Sequence, residues 1–155
     1  MSNASEKVAL LGSVDPVSLG AASSSSGWIS AANFHAFMAV LMIGAIGVSA
    51  SVTFIVEQAS DSGGTGVKAV TGAAITALTG IGADGAKQAI IDFRQEDLDL
   101  ANDFNHFRVT ITNADDGASP TGVASLVAAA VFGVDPRTSP ASDNDASTVD
   151  EIVTV

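Results

Sequence analysis

Residues Phe34 to Val56, FHAFMAVLMIGAIGVSASVTFIV, form the longest apolar run in the chain, and how they fold decides the architecture. The run has no formal charge beyond the neutral His35 and ends at Glu57-Gln58. From Ala36 to Val56 it is long enough to cross a bilayer, which takes about 20 apolar residues. Its flanks and its internal pattern point elsewhere. No Lys or Arg lies between Lys7 and Lys68, so the basic anchor of a membrane span is missing. In the second half, Val52, Phe54 and Val56 alternate with Ser51, Thr53, Ile55 and Glu57, the period of a strand with one buried face. The first half, Phe37 to Ile43, is apolar on both faces and reads as a central strand of a sandwich. Gly44 to Ala50 then serves as the turn of an antiparallel hairpin. The apolar run also starts too far from Met1, without a basic leader, to read as a secretory signal.

Working outward, the same alternation predicts strands at Gln88–Arg94 (QAIIDFR) and His106–Thr112 (HFRVTIT), with Phe107, Val109 and Ile111 inward. Gly122–Phe132 (GVASLVAAAVF), nearly all apolar, reads as another central strand. Turn chemistry separates them at Asp61–Gly66, at Gly80, Gly82 and Gly85, and at Asn113–Gly117. Val67 to Ile81 is ambiguous: its alanines permit a helix, but Thr71, Thr76, Thr79 and the glycines favour strand and loop. Leu98, Ala101 and Phe104 fall three apart, on one face of a short helical turn. The expected fold is all-β, an antiparallel β-sandwich or jelly-roll-like domain of six or seven strands, with α+β as the alternative if Val67–Leu78 is helical. The body is expected over residues 28–133, from Trp28-Ile29 onward. A Ser-rich N-terminal arm and flexible join (1–27, ending in SSSSG) and a Pro- and Asp-rich C-terminal arm (134–155) flank it.

At 155 residues the chain is one domain by length, large enough to bury about 68–70% of its unfolded surface without disulfides. It has no cysteine, which excludes thiolate catalysis, disulfide staples and Cys-ligated metals. Six basic against 17 acidic residues give a formal charge of −11, a surface that repels phosphate backbones and anionic lipid heads. Neither nucleic acid nor a membrane is an expected partner.

The chemical motifs fail one by one. Asp61-Ser62-Gly63-Gly64-Thr65-Gly66 lacks the Gly-Lys-Ser/Thr that closes a phosphate loop. As a serine-nucleophile loop it has Ser60 before it and no catalytic-base surroundings at His35. Asp143 and Asp145 start like a calcium loop, but Thr148 and Thr154 stand where glycine and glutamate are needed. Glu96, Asp97, Asp99 and Asp103 invite a divalent cation, yet a solvated acidic loop is the simpler reading. His106 is expected at the surface, and a metal site would need His35 to meet it in space. Asn3-Ala4-Ser5 matches the N-glycosylation pattern by chance. No catalytic, cofactor or metal site is expected, and the chain is read as a non-enzyme.

What remains is adhesion. Val8, Ala9, Leu10 and Leu11 in the first arm, and Ile152, Val153, Thr154 and Val155 in the last, are short apolar runs in polar surroundings. The last is strand-like and suited to adding to a sheet edge of a neighbouring subunit. Ordering an arm costs about 1–2 kcal/mol per residue in backbone entropy, so each must bury real surface.

The order of elements (an arm, a Ser/Gly join, FHAFMAVLMIG, DLANDFNHFRVTIT, a turn and ASLVAAAVFG) resembles small virion proteins of tailed phages, in particular capsid decoration, or cement, proteins. The resemblance covers most of the body and carries no diagnostic ligand motif. It implies an oligomeric β-sandwich, expected as a trimer, on the outer capsid surface. There it would bridge major capsid protein subunits and copies of itself after assembly in the host cytoplasm. A tail-tube or head–tail connector protein is the alternative with the same fold.

Overall fold

The computed structural model describes residues 3–117 and 122–154. Ten strands run through them: β1 (Val8–Leu19), β2 (Ala22–Ser25), β3 (Ile29–Ser30), β4 (Phe34–Ile43), β5 (Ala50–Ala59), β6 (Lys68–Ala74), β7 (Leu78–Thr79), β8 (Gln88–Arg94), β9 (His106–Asp115) and β10 (Ser125–Pro136). The remaining regular elements are single 3₁₀ turns; no α-helix occurs among the described residues. All pairings are antiparallel, in two sheets ordered β1-β10-β4-β8 and β2-β9-β5-β6. The short β3 and β7 attach to β9 and β5.

The pairing is nested: β1 with β10, β2 with β9, β4 with β8 and β5 with β6. The chain is in effect one long hairpin, rolled until β10 also meets β4 and β9 also meets β5. That is jelly-roll connectivity, which closes two sheets over one core. The expected all-β antiparallel sandwich therefore holds.

The core is the set of inward residues that the period-two pattern picks out. Phe37, Ala39 and Leu41 from β4, Val52, Phe54 and Val56 from β5, and Phe107, Val109 and Ile111 from β9 are all buried. At one end Phe37 stacks on Phe93 with ring centroids 5.2 Å apart, and Phe107 lies 4.6 Å from Phe37 and 5.0 Å from Phe93. Edge and offset contacts of this kind add about 0.5–1.5 kcal/mol per pair beyond burial.

Three expectations change. Phe34–Val56 is not a hairpin: β4 and β5 sit in different sheets and face each other across the core. The connection between them crosses layers because both strands bring an apolar face that must be covered. The N-terminal arm expected over residues 1–27 is largely body. β1 pairs with β10 from Val8↔Val134 to Leu19↔Ser125, and the serine run is β2. Serine suits this edge because Ser23 and Ser25 hydroxyls each sit 2.8 Å from the hydroxyls of Thr112 and Thr110 on β9. By contrast, the ambiguous stretch from Val67 to Ile81 holds strands β6 and β7, as its threonines and glycines favoured. Around Leu98 the chain makes two 3₁₀ turns, Gln95–Asp97 and Leu100–Asn102, with Leu98 buried and Ala101 exposed.

Candidate subunit-docking surface

A two-layer sandwich offers each strand one buried face. A strand that is apolar on both faces therefore presents one of them outward. Two neighbouring strands here have that character. On β4 the outward residues are Ala36, Met38, Val40 and Met42, and on β10 they are Leu126, Ala128, Ala130, Phe132 and Val134. The register sets them side by side with outward residues of β1 and β8. Leu10, Phe132, Met38 and Asp92 form one row, and Ala130, Val40 and Ile90 form another. Met42 is 46% exposed, Leu126 50% and Ile90 58%. Val17, Met42 and Leu126 border an open groove of about 400 Å³ with Pro16, Gly44 and Ala128.

The outer face of the other sheet is the opposite in kind. Ser51, Thr53 and Glu57 on β5 lie beside Arg108, Thr110 and Thr112 on β9. The Arg108 Nε and the Thr110 hydroxyl both donate to Glu57 Oε2 at 2.7 Å, so the Ser25 hydroxyl must donate in turn to Thr110. The Arg108 guanidinium also lies 4.6 Å over the Trp28 ring, whose indole packs closely on Gly64. This face satisfies itself and is suited to water. One molecule thus carries a hydrogen-bonded polar face and an apolar face on opposite sides.

The residues expected to grip neighbours fall in two places. Val8 and Leu10 stand on the outer face of β1, opposite Val134 and Phe132. Ala9 is 1% exposed and belongs to the core, and Leu11 packs against it. Ile152, Val153 and Thr154 follow the last regular element and are exposed; Val155 lies outside the described residues. The broad apolar face was missed in sequence because β4 and β10 were both read as covered on two sides. The signal was present: two doubly apolar strands in a chain long enough for only two layers.

Three of the four carboxylates of the acidic stretch are taken up internally, and Asp103 is exposed. Asp97 accepts from the Arg94 backbone N–H at 2.7 Å, and Glu96 pairs with the Arg94 side chain. Asp99 takes Lys68 Nζ at 2.5 Å and Asn102 Nδ2, and these hydrogen bonds hold its carboxyl below the usual carboxylate range. The Lys68 ammonium sits 3.9 Å from the centroid of Phe104. Asp61 is likewise lowered by the Thr65 hydroxyl and backbone N–H, and Asp84 by Lys87 and the Thr79 N–H. Among the described residues no three His, Cys, Asp or Glu side chains converge as a metal site. His35 and His106 lie on different sheets. No helix of the described residues is long and apolar enough to cross a membrane.

No protein-family model matches the chain, and no curated protein does. Among solved structures, a chain of Desmodium yellow mottle tymovirus is similar, with a TM-score of 0.41 and 13% identity over 91% of each chain. A chain from the structure of infectious bursal disease virus, Gx strain, is similar with a TM-score of 0.35 and 14% identity. That match covers 87% of this chain and 30% of the other. Likeness at this level carries no functional argument.

Proposed function

We propose that this chain is a non-enzymatic virion structural protein, most concretely a capsid decoration protein that bridges major capsid protein subunits on the outer shell. The observation that carries the adhesive part is the apolar outer face of β1-β10-β4-β8 on a molecule of charge −11. Contiguous exposed apolar surface on a soluble domain marks an interaction site. The virion assignment is supported by the order of sequence elements that resembles phage decoration proteins. The acidic remainder would face solvent and keep the protein soluble at high local concentration.

The size of the face sets what it can do alone. Four strands about 4.8 Å apart and some seven residues long at about 3.4 Å each present roughly 450 Å² in projection. A stable interface buries about 800 Å² per partner. The face supplies the centre of such an interface, and a second element must supply the rest.

Co-sedimentation with purified capsids tests the reading. The unaltered protein should pellet with capsids, and Met42→Glu combined with Leu126→Glu should stay in the supernatant while remaining folded. Undiminished pelleting of that variant would remove the face from the account. Labelling found only on tails or at the head–tail junction would instead favour the connector assignment.

A further inference from the structure

The two edges of the four-stranded sheet are treated differently by the chain. At the β1 edge, the Leu10 N–H donates to Asp145 Oδ1 and the Leu10 carbonyl accepts from the Ala146 N–H, both at 2.7 Å. The segment after β10 thus meets β1 at Leu10 and covers that part of its edge. At the other edge, β8 pairs only with β4 among the described residues. The Ile43 N–H donates to the Lys87 carbonyl, so Lys87 and the residues in step with it turn their backbone groups toward β4. Arg94, of the opposite parity, gives its N–H to Asp97. By the alternation of an antiparallel ladder, Gln88, Ile90 and Asp92 turn their backbone groups to the same open side as Arg94. A bare edge of this kind is a template for another strand.

The chain also carries an unused strand. Beyond the turn in which the Val149 N–H meets the Ala146 carbonyl, Asp150–Thr154 enters no regular element. Its Ile152, Val153 and Thr154 are β-branched, the residue type that fits a pleated sheet. Ile152 and Val153 are 47% and 74% exposed. Two carboxylates, Asp150 and Glu151, precede them.

Charge selects the acceptor. The Arg137 guanidinium has no carboxylate partner among the described residues and donates to the Gln95 side chain, one residue past β8. With Arg94 and His35 it lines an open cleft of about 530 Å³ at that end of the edge, shared with Glu96 and Asp135. On so acidic a chain, a cation left without a carboxylate beside a bare strand is a specific address for an acidic, β-branched segment.

We propose that Asp150–Thr154 of one copy adds as a strand to the β8 edge of a neighbouring copy, with Asp150 and Glu151 at Arg137 and Arg94. The donor segment leaves from the β1 side, about 14 Å across the sheet from β8 at three strand spacings. Copies joined side by side therefore repeat head to tail, an arrangement that closes into rings or nets rather than pairs. The added strand would also widen the apolar outer face, supplying the area it lacks alone. This rests on the virion reading only in taking other copies as neighbours.

The chain has no cysteine, so introduced thiols meet no competitors. Glu151 opposite Arg94 places Val153 opposite the exposed Asp92, so full-length Val153→Cys and full-length Asp92→Cys are mixed under mild oxidation. The mixture should give a covalent dimer that neither variant gives alone, and Asp150→Lys with Glu151→Lys should cut its yield about tenfold, ~1.4 kcal/mol. Arg137→Glu should restore yield to that lysine variant. A chain carrying both thiols that closes on itself at every dilution would show the tail crossing its own sheet and overturn the proposal. So would a mixture that yields no covalent dimer, or one whose yield ignores the charge changes. Capsid co-sedimentation of the same variants is read separately, so the exchange can fail while the virion reading stands.

Discussion

Leu10 and Asp145 are joined by a 2.7 Å hydrogen bond from the Leu10 N–H to the Asp145 carboxylate, across nearly the whole length of the chain. The bond ties the segment that follows the last strand to the beginning of the first. A hydrogen bond to a charged group contributes about 1.5–3 kcal/mol when buried and less when partly exposed, as here. Asp145→Ala is expected to lower stability by about 1–2 kcal/mol, read as the midpoint of urea unfolding. It should also speed proteolytic nicking between Ser142 and Val149, since the segment loses its anchor.

Core and outer face should separate cleanly. Leu41 is fully buried on β4, whereas its neighbour Met42 points outward. Leu41→Ala should cost about 2–5 kcal/mol in urea unfolding. Met42→Ala should change stability by less than about 0.5 kcal/mol while reducing association measured by sedimentation velocity. If both variants lost stability equally, β4 would be covered on both sides within one molecule.

Three glycines stack where loops meet at one end of the sandwich. A Cβ on Gly47 would overlap the Gly122 carbonyl oxygen, and one on Gly80 would overlap the Gly47 carbonyl oxygen. Backbone cannot retreat as a flexible side chain can. Gly47→Ala is therefore expected to lower stability by about 2 kcal/mol or more, measured as a fall in Tm. Gly20→Ala, with nothing near its Cβ position, is the control and should be near neutral.

Asp99 gives a pH prediction whose sign follows from its surroundings. Its folded-state pKa lies below the ordinary carboxylate value because Lys68 and then Asn102 hydrogen-bond the ionised form. A depressed pKa contributes stability that is fully present above the unfolded value and is lost as pH falls through the folded one. The unaltered protein should exceed Asp99→Asn in stability at neutral pH, and the two should converge in acid-unfolding curves as pH falls below the ordinary carboxylate range. A gap that persisted in acid would assign the effect to packing instead.

Most of the sheet-forming residues were legible because burial on one face imposes a period of two. β4, β5, β8 and β9 follow that period closely, and their inward residues are the core. β1 was not legible because its register shifts between Leu10 and Gly12 and again between Val14 and Val17, which breaks the alternation. β2 was hidden because four serines resemble a linker until Thr110 and Thr112 stand opposite them. The acidic 95–104 stretch read as a solvated loop because sequence does not show that Arg94, Lys68 and Asn102 reach its carboxylates.

By itself the sequence determined an all-β body, its apolar inward residues, its acidic surface and its freedom from cysteine chemistry, since these depend on composition and local periodicity. Only the tertiary structure decided which strands are neighbours. Pairing partners up to a whole chain length apart are chosen by how two sheets cover one core, and that choice placed β4 beside β10. Two strands that each looked buried on both sides thereby became a single apolar face turned outward.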